Sequence, residues 1–223
     1  DSKGWNQAKT IAKETRRAGL EIVSVTTPSG GAFQYQYAAQ ESFHRKRSIE
    51  YFQNGVHMTA ELAAPIMTVN SGWGYWTDEE TDAFARSVEI LGAVCRTAEQ
   101  DGVTIALESL TQKESLIGYR IDQIEKLVSA INSPALKVMV DLDATWYSGE
   151  TAQQWFDRFG ENLIHYHFQD GDRMLPSDGH YIWGNGEFCL EEEIRCLERN
   201  GYSGILTQEI CNSLDPRADE IRN

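Results

Sequence analysis

Residues 103–141 have the sequence VTIALESLTQKESLIGYRIDQIEKLVSAINSPALKVMVD, in which an amphipathic stretch separates two short apolar runs. The apolar residues between Ile121 and Ile131 recur every three or four positions, and this spacing predicts a helix. The flanking runs, 103–107 and 136–140, are rich in Val, Ile and Leu and have the length of strands. Because parallel strands need a crossover connection, which is usually a helix, the segment predicts a βαβ unit.

The same alternation of strands and helices extends to both ends of the chain. Six predicted strands end near residues 26, 69, 107, 140, 167 and 208. No low-complexity linker interrupts them, so we expect one domain over residues 1–223. Further helices are predicted at 6–18, 41–63, 152–159 and 190–199, and the last of these ends in a C-cap at Asn200-Gly201. A long helix is expected to begin at Thr77-Asp-Glu-Glu80, which has the pattern of a capping box.

Alternation alone does not distinguish a barrel from an open doubly wound sheet. An open sheet that binds a nucleotide should carry a glycine-rich turn after an early strand. Neither GxGxxG nor GxxxxGK[ST] occurs, and Pro28-Ser-Gly-Gly31 is predicted to be a flexible loop. The polar residues at the strand ends favour the barrel instead. We therefore predict an α/β fold, a (β/α) TIM-type barrel that lacks the first one or two strand–helix units.

Four consecutive predicted strands are followed by Glu108, Asp141, His167 and Glu209. Each residue alone is more often an ordinary loop residue, but the C-terminal ends of barrel strands converge on one mouth, where active sites lie. Three carboxylates and an imidazole suit Mn²⁺, Co²⁺ or Mg²⁺ better than structural zinc. The four residues therefore predict a site for one divalent cation, with Mn²⁺ preferred.

Other polar and aromatic residues near the strand ends are less specific. His165 is not expected to be a ligand, and we expect one of His165 and His167 to point away from the site. Trp73 and Trp76 follow the second predicted strand. They fit either a wall that stacks on a sugar or plain loop packing.

Composition narrows the class of protein. The chain has 223 residues and a net charge of −14, so nucleic acid is not an expected partner. No apolar run approaches the length of a membrane span, and the first residues lack a signal-peptide pattern. The four cysteines form no CxxC pair and are expected to be reduced thiols, so we predict a cytoplasmic protein.

Several short motifs resemble one known superfamily. The chain resembles the xylose isomerase-like sugar isomerases and epimerases, and within them the ketose 3-epimerases of the tagatose, psicose and fructoselysine type. The motifs lie in the last half of the chain: Ala106-Leu-Glu108, Val138-Met-Val-Asp141, His165-Tyr-His-Phe-Gln-Asp-Gly-Asp-Arg173, Gly184-Asn-Gly186, Gly201-Tyr-Ser-Gly204 and Thr207-Gln-Glu209.

The resemblance implies roles for individual residues. It implies that Glu108, Asp141, His167 and Glu209 bind the metal and that Glu108 and Glu209 are also the acid/base pair. Arg173 and Glu114 match positions that contact the substrate in the epimerases. The implied activity is that of an isomerase which transfers a proton next to the carbonyl of a small sugar, through an enediolate that the cation stabilises.

Two departures from the family pattern leave alternatives open. The epimerases usually have a histidine that contacts the substrate three residues after the ligand Asp. In this chain that position is Ala144, so Asp143 or Trp146 is expected to make the substrate contact instead. Six strands are counted where the family has eight. Either the count is short, the chain is truncated, or a partner covers the gap, and we expect a homo-oligomer or a partner subunit.

Three other functions remain open at this point. One is the catalytic subunit of a C-glycoside-deglycosylating lyase of the same superfamily, which works with a partner chain. Another is a non-catalytic sugar-binding module, which would catalyse no proton exchange on a sugar. The third is a metal-dependent endonuclease of the AP-endonuclease type. The charge of −14 and the five histidines disfavour the endonuclease, which needs a basic groove and further His ligands.

Overall fold

The computed structural model describes residues 2–27, 29, 35–75, 77–172 and 180–210. Six strands run through this part of the chain: β1 (Ser24–Thr26), β2 (Ile66–Asn70), β3 (Thr104–Glu108), β4 (Leu136–Asp141), β5 (Leu163–His167) and β6 (Ile205–Thr207). The helices are α1 (Ser2–Arg17), α2 (Ser42–Glu61), α3 (Glu80–Asp101), α4 (Ile121–Ile131), α5 (Leu142–Tyr147), α6 (Ala152–Phe159) and α7 (Leu190–Arg199), with a 3₁₀ turn at Gly160–Asn162.

The sheet is parallel throughout, and its strands lie side by side in chain order from β1 to β6. Consecutive order with helical crossovers is the topology of a TIM barrel, which has eight strands when closed. The described residues provide six of them as a curled part of that barrel. The predicted fold class is therefore confirmed, and the predicted strand ends agree with the observed ones to within one residue.

One irregularity in the sheet matters for the strand ends. Val138 pairs with Leu163, but the next residue, Met139, pairs with His165, so β5 carries one extra residue there. Without the extra residue, Asp141 would stand level with Tyr166, whose side chain faces the other side of the sheet. With it, Asp141 pairs with His167, and both side chains extend from the same face at the same level.

Apolar side chains cover the two faces of the sheet unequally. The main core lies between the sheet and its helices, where Leu107, Val140 and Tyr166 are fully buried. A smaller cluster of Ile66, Ala106 and Met139 fills the opposite, barrel-interior face. Burial of each such large side chain stabilises the fold by roughly 1.5–3 kcal/mol. The apolar layer of the interior face forms a floor beneath the polar strand ends.

The prediction that a capping box at Thr77–Glu80 opens the long helix is wrong. Helix α3 begins at Glu80 and its N-cap, Glu79, makes no side-chain capping bond among the described residues. The Asp78 carboxylate instead accepts the Tyr75 N–H at 2.8 Å and pairs with the Arg86 guanidinium, so it holds the preceding turn. Long-range pairing with Arg86 therefore prevails over the local capping pattern.

Helix α5 was not predicted from the sequence. It has six residues and follows β4 directly, so it is too short for apolar periodicity to reveal it. Its N-cap is Asp141, whose Oδ1 accepts the Ala144 N–H at 2.9 Å. The cap fixes one carboxylate oxygen of Asp141 and leaves Oδ2 directed to the strand ends. Within the described residues, none of the helices has the length and apolar character needed to cross a membrane.

Candidate metal centre

Four side chains meet at the C-terminal ends of β3 to β6. His167 Nδ1 lies 2.7 Å from Glu108 Oε1, 2.9 Å from Glu209 Oε2 and 3.7 Å from Asp141 Oδ2. One ligand atom from each residue falls within 4.8 Å of all the others. The structure thus brings together the four residues that the sequence predicted to converge.

The strand ends explain this convergence. Glu108, Asp141 and His167 are the last residues of β3, β4 and β5, and Glu209 follows β6 by two residues. Neighbouring parallel strands lie about 4.8 Å apart, so four adjacent ends can direct their side chains to one point. Glu108 and Glu209 come from the two outer strands of the four and therefore approach that point from opposite sides.

The site is buried and rich in negative charge. Burial raises the pKa of the Glu108 carboxyl to about 7, and the nearby charges of Glu209 and Asp141 act in the same direction. Burial alone would lower the pKa of His167, but the surrounding carboxylates raise it well above its usual range. Burial also opposes ionisation of Asp141, yet His167 and His180 hold the pKa of that carboxyl below its usual value.

The donor set fits a divalent cation. The buried Nδ1 of His167 has no well-aligned hydrogen bond among the described residues, although carboxylate oxygens lie within 3 Å of it. Carboxylate oxygens that lie close to a ring nitrogen without hydrogen-bonding to it have the arrangement expected of ligands that share one metal ion. Three carboxylates with one imidazole form a hard, oxygen-rich set, and a divalent ion would relieve their mutual repulsion.

A hydrogen bond from behind the site orients the carboxylate of Asp141. Gln169 Nε2 donates to Asp141 Oδ2 at 2.8 Å, and Gln169 is fully buried. Bonds of this kind hold a ligand oxygen in a fixed direction. Sequence analysis did not single out Gln169, because nothing in a strand-end pattern shows which neighbour will face a ligand.

A cavity of about 90 Å³ adjoins three of the four residues, Glu108, Asp141 and Glu209, and has room for roughly three water-sized groups. Its walls are polar apart from Leu110 and Ala144. The cavity is lined by Glu108, Ser109, Leu110, Thr111, Glu114, Asp141, Asp143, Ala144, His180 and Glu209.

Glu114, for which the resemblance implies a contact with substrate, lines this cavity. Its Oε2 accepts hydrogen bonds from the Thr111 N–H at 2.9 Å and the Thr111 hydroxyl at 2.8 Å. Burial raises the pKa of its carboxyl. Trp73 is half-buried and lines a neighbouring cavity of about 30 Å³ together with Glu114, rather than the cavity at the strand ends. Arg173 and Trp76 lie outside the described residues.

The prediction that one of His165 and His167 points away from the site is wrong. Residues two apart on a strand share a face, and the two rings lie 5.6 Å apart between centroids. His165 sits one layer deeper, is fully buried, and has its Nε2 3.1 Å from the Thr207 hydroxyl. Burial lowers the pKa of His165 to about 4, so this ring is neutral beneath the site.

His180 is a residue of this site that sequence reasoning did not single out. Its Nε2 lies 4.0 Å from Asp141 Oδ2 and 3.9 Å from Asp143 Oδ2, and its Nδ1 lies 3.7 Å from Glu209 Oε2. It comes from the connection after β5, where no strand or helix periodicity indicates a direction. Of the two residues expected to replace a histidine at Ala144, Asp143 lines the cavity, whereas the Trp146 ring packs at 5.3 Å on Phe188.

Comparison with known proteins agrees with this fold. Fructoselysine 3-epimerase from Shigella flexneri is 28% identical over 207 residues, which cover 93% of this chain and 73% of that protein. A solved D-tagatose 3-epimerase-like protein matches with a TM-score of 0.80 at 20% identity, over 97% of this chain and 81% of its own. The IOLI protein, solved with a zinc atom, matches with a TM-score of 0.78 at 15% identity, over 96% and 75%.

A family model shows the relationship more directly than any single relative. The model of the xylose isomerase-like TIM barrel matches residues 3–223, which is nearly the whole chain. The consecutive parallel strands and the polar residues at their C-terminal ends agree with that match. On this evidence the chain belongs to the xylose isomerase-like TIM barrel family.

Proposed function

We propose that this protein is a divalent-metal-dependent sugar epimerase or isomerase that moves a proton on the carbon next to a carbonyl. The observation that carries the proposal is the placement of two carboxylates, Glu108 and Glu209, on the outer strands of a four-strand cluster. An epimerase that inverts a carbon needs one base on each face of the substrate. The relative from Shigella flexneri is a fructoselysine 3-epimerase, and the curated relatives of this kind are isomerases.

The chain's own residues divide the work. Glu108, Asp141, His167 and Glu209 would hold the cation, for which we propose Mn²⁺, with Co²⁺ or Mg²⁺ as alternatives. When bound, the cation would polarise the substrate carbonyl and acidify the neighbouring C–H. One glutamate removes the proton from that carbon, and the other returns a proton to the opposite face for epimerisation, or to the neighbouring carbon for isomerisation.

Burial suits Glu108 to proton transfer, and Glu209 differs from it in exposure. The pKa of Glu108, about 7 without a cation, lies near working pH, where a carboxyl can both accept and release a proton. The side chain of Glu209 is 44% exposed, whereas that of Glu108 is 15% exposed. Glu209 therefore lies nearer the mouth of the site, where it can exchange its proton with solvent between turnovers.

Three further residues are proposed to contact the sugar. Glu114 would accept a hydrogen bond from a substrate hydroxyl, because it lines the same cavity as the two catalytic glutamates. Trp73 would act as a neighbouring wall beside Glu114. The role of Arg173 rests on the family motif alone. A homo-oligomer or partner subunit and a cytoplasmic location remain predictions of the sequence.

Deuterium exchange tests the proposed activity. Protein stripped with a chelator and reloaded with Mn²⁺ is incubated in D₂O with D-fructose, D-psicose, D-tagatose, L-ribulose and fructoselysine, and the sugars are followed by NMR. We expect deuterium at the carbon next to the carbonyl of at least one sugar, together with its epimer or isomer. Absence of exchange on every sugar by metal-loaded protein would overturn the proposal.

Variants separate the two bases. At a Mn²⁺ concentration that saturates the variant, we expect Glu209→Gln to lose product formation, because the amide oxygen can still bind the cation but one of the two proton transfers is missing. Exposed Glu191 on α7 provides the control, since Glu191→Gln makes the same chemical change away from the site. Unchanged epimer or isomer formation by Glu209→Gln with the metal still bound would show that the two-base assignment is wrong.

A further inference from the structure

We propose that His180 is a substrate-contacting residue of this site, in the role that Ala144 cannot perform, and that Asp170 is the positioning residue that holds it there. The inference rests on the proposed function and deepens it. In addition to the cation ligands, His180 would provide a hydrogen bond to a sugar hydroxyl. Asp170 would hold the loop that carries this donor.

His180 and Ala144 line the same cavity as the catalytic glutamates. The methyl group of Ala144 can make no hydrogen bond, so a polar contact at this point of the wall has to come from other lining residues. The imidazole of His180 provides one, because its side chain is only 15% exposed and its two nitrogens face the carboxylates of Asp141, Asp143 and Glu209. The imidazole of His180, which comes from a loop, thus reaches the part of the cavity that a longer side chain at position 144 on α5 would occupy.

The distances leave room for a substrate oxygen. Between His180 Nε2 and Asp143 Oδ2 the gap is 3.9 Å, longer than a hydrogen bond. An oxygen about 2.8 Å from each atom could accept from the imidazole and donate to the carboxylate, which is the pairing that a sugar hydroxyl offers. Asp143 is fully buried, so a hydroxyl placed there would be held between two side chains away from solvent.

Asp170 fixes the loop that carries His180. Its carboxylate accepts four backbone N–H groups, with Oδ1 bonded to Gly171 at 2.9 Å and Phe188 at 3.0 Å, and Oδ2 to Gly184 at 2.9 Å and Gly186 at 3.0 Å. Asp170 is only 2% exposed, and hydrogen bonds to a buried charged acceptor are among the strong ones. One side chain therefore ties residues 184–188 to the end of β5.

A backbone bridge places His180 itself. The Tyr181 N–H donates to the Asp170 carbonyl at 2.8 Å, and the Asp170 N–H donates to the Tyr181 carbonyl at 3.1 Å. His180 directly precedes this bridge, and Asp170 comes three residues after His167. The imidazole is thereby held at a fixed distance from the four ligand residues by contacts that do not involve them.

The glycines of the Gly184-Asn-Gly186 motif have a physical reason in the same loop. A Cβ on Gly186 would lie 2.4 Å from Asp170 Oδ1 and 2.4 Å from the Gly171 carbonyl, distances that real Cβ atoms do not show. Gly184 has φ +85°, in the left-handed region that favours glycine. Both positions let the loop close on the Asp170 carboxylate.

Three variants test the role of His180: His180→Ala, the transplant Ala144→His/His180→Ala, and His44→Ala as a control on the exposed face of α2. Each is loaded with Mn²⁺, and the best ketose of the exchange panel serves as substrate. We expect His180→Ala to raise KM and the dissociation constant of that ketose about tenfold, the size of one lost hydrogen bond, with cation content unchanged. The transplant is expected to recover part of this loss, and His44→Ala to behave as wild type.

Asp170→Asn tests the positioning role. Its amide group cannot accept all four N–H groups, so we expect faster amide hydrogen exchange in residues 181–188 and a KM increase like that of His180→Ala. The double variant Asp170→Asn/His180→Ala should have the KM of His180→Ala alone, because a positioning residue acts only through the residue it positions. Additive effects on KM would overturn the positioning role.

The outcomes for His180 differ from those for the proposed function. If wild type turns over a ketose while His180→Ala binds and converts it equally well, the inference is overturned and the activity stands. Loss of the cation in His180→Ala would make His180 a metal ligand and overturn its assignment as a substrate contact. If metal-loaded wild type neither binds nor exchanges any ketose, the proposed function fails and the inference fails with it.

Discussion

Replacing Glu108 with glutamine should change stability in opposite directions with and without a cation. The substitution keeps the size of the side chain and removes one negative charge from the buried cluster of Glu108, Asp141, His167 and Glu209. Without a cation, the charge of Glu108 is unfavourable on balance, because burial raises its pKa to about 7 even though the neighbouring His167 acts in the opposite direction. With a cation, the same charge is a ligand.

The size of the cation-free effect follows from the pKa of Glu108. A carboxyl whose folded pKa is raised from 4.5 to about 7 contributes stability below pH 4.5 and loses it as the pH rises through 7. Each pKa unit corresponds to about 1.4 kcal/mol, so the loss at pH 8 is roughly 3 kcal/mol at most. Glutamine carries no such loss. In a chain of this size, 1 kcal/mol shifts Tm by about 2–4 °C, so we expect Glu108→Gln to raise the cation-free Tm at pH 8 by several degrees.

Thermal unfolding at pH 8, in chelator and in Mn²⁺, measures both directions. For wild type, Mn²⁺ at about 100 times its dissociation constant should add about 2.7 kcal/mol, or roughly 5–10 °C. Glu108→Gln should lose most of that increment. Glu191→Gln, which changes an exposed glutamate on α7, should leave both values unchanged. A lower cation-free Tm for Glu108→Gln, with a full Mn²⁺ increment, would refute the assignment of Glu108 to a cation site.

Three other outcomes are expected. Cation binding should release protons and strengthen as the pH rises from 6 to 8, because His167 and Glu108 hold protons in the cation-free site. Titration calorimetry in two buffers of different ionisation enthalpy measures this release. Equal heats of binding in the two buffers would show that no proton is released. Gly186→Ala should lower the melting temperature and speed amide exchange in the Asp170 loop, and unchanged values would contradict the close approach there. Ile124→Ala in α4 should cost about 2–5 kcal/mol in chemical denaturation while the folded protein keeps its cation content, since this buried side chain lies in the helix-packed core and not at the strand ends.

The sequence by itself determined the architecture and the four converging residues. The alternation of short apolar runs with amphipathic helices follows from local periodicity, and parallel βαβ order follows from it with few alternatives. Glu108, Asp141 and His167 are predictable because each stands at the end of an apolar run, and the ends of adjacent parallel strands must meet. The first residue of a helix is harder to predict. The Asp78 carboxylate, within the predicted capping box of α3, pairs with Arg86 instead of capping the helix.

Only the tertiary structure decided how the rest of the site is built. The extra residue in β5 that brings Asp141 level with His167 depends on how two strands pair, which neither strand shows alone. The connection that carries His180 is held by contacts between distant residues: the backbone of Tyr181 pairs with that of Asp170, and the buried Asp170 carboxylate accepts backbone N–H groups 14 to 18 residues further along the chain. Such contacts join residues with no common periodicity, and their geometry is set by packing and hydrogen bonding in three dimensions rather than by local sequence.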